Sequence, residues 1–87
     1  MIEIVFTPSF DRLMKKLEPA LLDAVSETLE QFKDRRAHAR LKVHKLQGRL
    51  KGLCAFSVDY RHRVIFRWID TKHVLLLDFG DHSMYEK

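Results

Sequence analysis

Four residues in the second half of the chain have side chains suited to chemistry on RNA: His44, Arg63, His82 and Tyr85. Cleavage of RNA by its own 2′-hydroxyl needs a base for the 2′ proton, a cation for the charge that develops on the phosphate, and an acid for the 5′ oxygen. Histidine supplies acid or base near neutral pH, arginine grips phosphate in a fork, and an aromatic ring stacks on a splayed base. This scheme requires no metal, and we expect no cofactor. The alternative is that His82 is a surface histidine and Tyr85 a packed tyrosine.

Positive charge is concentrated in one segment. Residues 33–51 contain eight Lys or Arg and one Asp, whereas residues 1–32 contain three basic and six acidic residues. Residues 52–87 are balanced, with five of each. A basic patch attracts polyanions and raises their local concentration. The segment therefore indicates either a nucleic-acid contact or a solvated loop that favours solubility.

Length and composition favour one small globular domain over residues 1–87. The one cysteine, Cys54, excludes an internal disulfide and a thiolate metal cluster, and we expect it to be buried. No apolar run approaches the roughly 20 residues of a membrane span. The first residues, MIEIVFTPSF, do not resemble a signal peptide, so we expect a cytoplasmic protein.

The first part of the chain predicts a strand and two helices. IEIVF at 2–6 is rich in β-branched residues, and Thr7 and Pro8 suit the start of a helix. Pro19 begins a second helix. Apolar residues recur at helical spacing, which predicts core-facing stripes; they are Phe10, Leu13, Met14 and Leu17 in the first helix and Leu21, Leu22, Val25, Leu29 and Phe32 in the second.

The last part predicts three strands, at 53–60, 62–69 and 73–80, with a tight turn at Asp70-Thr71. The order β-α-α-β-β-β favours an α+β domain whose antiparallel sheet carries the helical pair on one face. In the middle strand Val64, Phe66 and Trp68 should meet the helices. Arg63, Ile65 and Arg67 alternate with them, so we expect an open, cationic opposite face; the alternative for Arg67 is a pair with a surface acid.

Three segments, in this order, resemble the RelE/ParE superfamily of toxins. HKLQGRLKG resembles its H/K-x-L-x-G-x-x-x-G segment, HRVIF its Y/H-R strand, and GDHSMY the closing G-x-H-x-x-Y/F of RelE, YoeB and YafQ-like ribonucleases. The resemblance covers essentially the whole chain. It implies a toxin of a type II toxin–antitoxin module that inhibits translation by cutting mRNA in the ribosomal A site. In such toxins the 2′-hydroxyl is the nucleophile and no metal is needed.

The resemblance also assigns roles to residues. Arg63 would stabilise the transition state, and His82 would be the general acid or, alternatively, the base. Tyr85 would stack on or orient the mRNA, and His44 would be the base candidate. Phosphate contacts would come from the surrounding basic residues, Lys42, Lys45, Arg49, Lys51, Arg61 and Arg67.

Ser57 and Asp59 depart from the family pattern, because many relatives carry a basic residue in that strand. An acid there would repel an RNA phosphate unless Asp59 orients a histidine. His62 should point to the face opposite Arg63, and we expect His38 and His73 to be structural or surface residues. The departure keeps two alternatives open: a ParE-like toxin that acts on DNA gyrase without cleavage, and a degenerate member that only binds a partner.

The resemblance implies a cognate antitoxin as partner, in a toxin–antitoxin hetero-oligomer, besides mRNA and the ribosome. A basic groove predicts that an acidic antitoxin segment lies across it. We expect no association with a membrane.

Overall fold

The computed structural model describes residues 1–81, which form one mixed sheet with two α-helices packed on it. His82 and Tyr85 lie outside the described residues. Two 3₁₀ turns, at Arg35–Ala37 and Gly48–Leu50, interrupt the basic segment. The elements are β1 (Glu3–Phe6), α1 (Pro8–Lys15), α2 (Pro19–Phe32), β2 (His44–Lys45), β3 (Cys54–Ser57), β4 (His62–Trp68) and β5 (His73–Asp81). No helix within this range is long and apolar enough to cross a membrane.

Both helices begin where the sequence predicts. The Thr7 hydroxyl accepts a hydrogen bond from the Phe10 amide at 3.1 Å and donates one to the Leu76 carbonyl at 2.8 Å. Thr7 therefore satisfies an amide of the first turn of α1 and also fixes α1 to β5. Pro19 occupies the first turn of α2, where its missing amide hydrogen costs nothing.

The sheet order is β1-β5-β4-β3-β2. β3, β4 and β5 form the expected antiparallel meander, and β2 extends it. However, β1 pairs with β5 in parallel, so the prediction of a purely antiparallel sheet was wrong. The two helices and the strands β2, β3 and β4 all lie between β1 and β5 in the chain, and a connection of that length permits either direction.

The main core lies between the helices and one face of the sheet, as predicted. The ring of Phe32 stacks on Phe56 at 4.5 Å and meets Phe66 edge-on at 5.1 Å, and all three side chains are fully buried. Val25 and Leu29 of α2 join this core. Leu22 is 36% exposed, so the predicted stripe was too wide on that side.

A second, smaller apolar cluster lies on the other face of the sheet. Ile65 and Ala55 are buried there beneath Leu46, and Leu50 and Leu53 pack against them. The expectation that this face is open was therefore wrong over its centre. The basic segment folds back along β3 as β2, and its leucines supply the apolar cover that Ile65 needs.

Two local features differ from simple strand alternation. β3 ends at Ser57, and Tyr60 is 93% exposed, so the predicted strand to residue 60 was too long. The register between β4 and β5 shifts at one point. Ile65 lies opposite Asp78, whereas the next residue, Phe66, lies opposite Leu76, so β5 has one extra residue there. This bulge places both Leu76 and Phe79 in the helix-side core although they are three residues apart.

Candidate functional site

His44 and Arg63 lie on the same face of the sheet, the one away from α1 and α2, which we call the open face. One cross-strand row on this face joins His44, Ala55, Ile65 and Asp78, and the neighbouring row joins Ser57, Arg63 and Gly80. With strands about 4.8 Å apart and next-but-one residues about 7 Å apart, the two Cα atoms are separated by ~12 Å. A phosphate group and its ribose can therefore bridge the two long side chains.

The backbone holds the His44 ring in one orientation. Its Nδ1 lies 2.7 Å from the carbonyl oxygen of Lys42. Because a carbonyl only accepts hydrogen bonds, Nδ1 carries a hydrogen, and in the neutral ring the lone pair is on Nε2. Lys42 itself has a φ of 59°, a left-handed conformation that a lysine rarely adopts. The hydrogen bond to the Lys42 carbonyl thus fixes the tautomer of the neutral ring.

Arg63 is half-buried at the beginning of β4, and its guanidinium contacts the preceding turn. Nη1 donates to the carbonyl oxygens of Asp59 at 3.2 Å, Tyr60 at 3.5 Å and His62 at 3.3 Å. These contacts fix the direction of the side chain. Every hydrogen bond that Arg63 makes to a described residue uses Nη1, so Nε and Nη2 keep hydrogens with which to grip a phosphate.

Asp59 orients a histidine. Its Oδ1 accepts the amides of Arg61 and His62, both at 2.8 Å, and lies 2.9 Å from the ring Nδ1 of His62. Burial raises the pKa of Asp59, but these hydrogen bonds outweigh burial and leave the pKa below its usual value. The carboxylate therefore stays ionised, and its hydrogen bonds hold the turn and the His62 ring in place.

His62 points away from the open face, as predicted. Its ring stacks on Phe79, with centroids 5.4 Å apart and nearly parallel planes. The same geometry recurs before β5, where Asp70 accepts the amides of Lys72 and His73 and the ring of His73. This repeated Asp-x-x-His turn was not predicted, although its spacing is visible in the sequence.

His38 has a structural role. Its Nε2 lies 2.8 Å from the carbonyl oxygen of Phe32, and its ring stacks on Phe32 at 4.6 Å. It therefore caps the end of α2 and extends the aromatic core. Among residues 1–81, no three His, Cys, Asp or Glu side chains come together in a way that would hold a metal ion.

The candidate RNA-contacting residues do not all lie on one face. All six are exposed. Arg67 lies on the open face opposite Leu75, and it takes part in no ion pair with another described residue. Lys45 and Lys51 line a cavity of about 350 Å³ whose wall includes Cys54 and Trp68 of the helix-side core and Leu46 and Leu53 of the second cluster.

The structure brings His44 and Arg63 to one face, beside Ser57.

Burial raises the pKa of the Cys54 thiol, as expected for a structural cysteine, although the charge of nearby Lys45 acts in the other direction. The positions of His82 and Tyr85 in this site remain predictions, because both lie beyond Asp81, the last described residue, which pairs with His62.

Solved structures of toxins share this fold. A chain of the toxin–antitoxin complex RelBE2 from Mycobacterium tuberculosis is 27% identical, with a TM-score of 0.73, and the match covers 93% of this chain and 98% of that one. A chain of the YoeB-YefM complex from Staphylococcus aureus is 20% identical, with a TM-score of 0.70 over 94% and 98% of the two chains. YafQ from E. coli is 20% identical, with a TM-score of 0.66 over the full length of both.

No protein-family model and no curated protein matches this sequence. The structural matches nevertheless extend over nearly the whole chain and include the sheet that carries His44 and Arg63. The resemblance seen in the sequence is confirmed at the level of the fold. Over nearly its whole length, the chain has the same fold as the matched chains of the RelBE2 and YoeB-YefM complexes and as YafQ.

Proposed function

We propose that this protein is the toxin of a type II toxin–antitoxin module and that it cuts mRNA in the ribosomal A site. The reaction is attack by the substrate 2′-hydroxyl on the adjacent phosphorus, without a metal. The fold supports the toxin role, since its neighbours include chains of toxin–antitoxin complexes. The observation that carries the enzymatic part is the position of His44 and Arg63 in adjacent cross-strand rows of the open face.

His44 is the general base in this proposal. Its Nε2 takes the proton of the 2′-hydroxyl, while the hydrogen bond from Nδ1 to Lys42 stabilises the imidazolium that results. Arg63 donates from Nε and Nη2 to the non-bridging phosphate oxygens, where negative charge develops in the transition state. His82 protonates the 5′ leaving oxygen, and Tyr85 stacks on a base of the mRNA.

The exposed basic residues contact phosphates of mRNA or ribosomal RNA. Their contribution does not depend on sequence and weakens as salt concentration rises. The protein acts where its substrate is translated, which places it in the cytoplasm. Its partner is a cognate antitoxin, and an acidic segment of that antitoxin lies across the open face in the neutralised complex.

One observation favours a second candidate function. The three carbonyl contacts of Arg63 would also serve a purely structural arginine. In that case the chain is a non-catalytic member of the superfamily, which binds DNA gyrase or only its antitoxin. The two functions differ in a single measurable property, namely cleavage of mRNA.

The experiment uses purified protein, programmed ribosomes and a defined mRNA in EDTA, with cleavage mapped by primer extension. Cleavage in the A-site codon is expected for the wild type, with loss in Arg63→Ala, His44→Ala and His82→Ala. Lys15→Ala, an exposed substitution on α1, is the matched control and should cleave normally. A folded wild type that binds ribosomes and cuts nothing would contradict the enzymatic proposal and favour the second candidate.

A further inference from the structure

Trp68 borders two surface depressions. One has a volume of about 350 Å³, with Lys45 and Lys51 in its wall. The other has a volume of about 500 Å³ and is lined by Arg35, Trp68, Asp70 and Thr71. The indole is half-buried and packs nearly perpendicular to the ring of Phe66 at 5.8 Å. A fixed aromatic ring therefore borders both depressions.

The groove around Trp68 is cationic. The Arg35 guanidinium lies 5.1 Å from the centroid of the indole, a cation–π contact, and the two lysines lie in the other depression. Among the described residues, the two linings contain one carboxylate, that of Asp70, against the three cationic side chains of Arg35, Lys45 and Lys51. The net charge of the linings is therefore positive.

We propose that this groove binds single-stranded RNA at a place separate from His44 and Arg63 on the open face. A base stacks against Trp68 and the Arg35 guanidinium, and the backbone phosphates contact Lys45 and Lys51. The inference rests on the proposed function only in taking RNA as the natural ligand. Proteins that bind single-stranded nucleic acid without sequence preference combine two features: a fixed aromatic ring on which a base stacks, and guanidinium or ammonium groups that contact the backbone.

The sheet provides a path between the two RNA contacts. β2 is an edge strand, and its two residues project to opposite faces, His44 to the open face and Lys45 to the cavity that it lines with Trp68. Arg63 and Trp68 are five residues apart in β4 and also face opposite sides, so ~17 Å of strand separates them. A strand of RNA that passes over the β2 edge contacts His44 and Lys45 in succession.

The test uses the intrinsic fluorescence of the protein, because Trp68 is its one tryptophan. The probe is 2′-O-methyl hexauridylate, which lacks the 2′-hydroxyl that the cleavage scheme requires and is therefore not consumed. Saturable quenching of Trp68 is expected. Its binding constant should fall with salt, and the logarithmic slope should be shallower by about 1.4 when two phosphate contacts are removed.

The variant Lys45→Gln/Lys51→Gln removes those two contacts at exposed positions, so the fold is retained. It should bind the probe at least tenfold more weakly than the wild type, whereas Lys15→Gln on α1 should bind normally. Trp68→Leu, followed by anisotropy of a labelled probe, should weaken binding by roughly 5- to 150-fold, the range of base–aromatic stacking. Arg63→Ala should leave the quenching constant within twofold.

Three outcomes would overturn the proposal. Quenching could be absent altogether. Alternatively, Arg63→Ala could abolish quenching as fully as the double lysine variant does, which would mean that Trp68 reports RNA bound at the open face. An acidic oligoglutamate peptide could quench Trp68 where the RNA probe does not, which would make the groove a protein-docking site. Ribosome assays separate this inference from the proposed function: probe binding without cleavage contradicts the function alone, and cleavage without probe binding contradicts the groove alone.

Discussion

Nη1 of Arg63 lies 3.2 Å from the carbonyl oxygen of Asp59, four residues earlier in the chain. The arginine proposed to stabilise the transition state therefore also fastens the turn between β3 and β4. The turn contacts use Nη1, whereas the proposed phosphate contacts use Nε and Nη2. A substitution that keeps the charge but removes the fork should separate the two roles.

Arg63→Lys should retain most of the stability and lose most of the activity. The lysine ammonium reaches the turn carbonyls but cannot hold two phosphate oxygens in a planar fork, so cleavage should fall about 10²- to 10³-fold. Arg63→Ala should lose activity to the same extent and also about 1–2 kcal/mol of stability. Urea unfolding and single-turnover cleavage give the two quantities. Full activity in the lysine variant would show that Arg63 does not act as a fork.

His44→Ala should reduce cleavage by about 10²- to 10⁴-fold without weakening ribosome binding. A general base takes the 2′ proton in the transition state, so the loss should appear in the rate of the chemical step. The measurement is the single-turnover cleavage rate of both proteins at saturating ribosomes. His73→Ala is the control, because that histidine is paired with Asp70 in the turn before β5; an unchanged single-turnover rate in His44→Ala would contradict the assignment.

Leu46→Ala should destabilise the protein and loosen the packing of the open face. Leu46 is 5% exposed and covers Ile65, so removing its side chain leaves a cavity that costs roughly 2–4 kcal/mol. Because Leu46 follows directly after β2, activity should fall further than stability alone explains. Thermal unfolding and cleavage at a temperature where the variant is folded test this. Leu22→Ala, at a 36% exposed position, is the control and should cost less than about 1 kcal/mol.

Asp70→Asn should make the protein less sensitive to acid. Hydrogen bonds from His73 and from the Lys72 amide lower the pKa of Asp70. A second carboxyl group behaves in the same way, because hydrogen bonds from Arg36 lower the pKa of Asp34 to about 2. A carboxyl group whose pKa is lower in the folded state stabilises the fold above its unfolded pKa, near 4. That contribution disappears as the pH falls through the folded pKa.

The asparagine keeps an oxygen that accepts the turn amides but does not titrate. The variant should therefore be less stable than the wild type at pH 6 and lose less stability between pH 6 and pH 2.5. Urea midpoints at the two pH values measure this difference. Asp23→Asn, on the exposed side of α2, should follow the wild-type curve, and an equal effect of the two variants would contradict the role of the turn.

The sequence alone determined the local elements and their inward faces. Thr7 and Pro8 start α1 and Pro19 starts α2 because capping and the fixed φ of proline act within a few residues. The burial of Val64 and Phe66 followed from strand alternation, which depends only on neighbouring residues. The family resemblance rested on the order of three short motifs, which the sequence shows directly.

Tertiary structure decided what depends on residues distant in the chain. The parallel pairing of β1 with β5 joins Glu3 to His73, and no local pattern specifies a partner at that separation. The cover over Ile65 required Leu46 to fold back across β3, and the bulge in β5 appeared only against the register of β4. The sequence showed that His44 and Arg63 were chemically suited to each other, but only the pairing of three strands placed both on one face, because a side chain's face is set by the register of the strand that carries it.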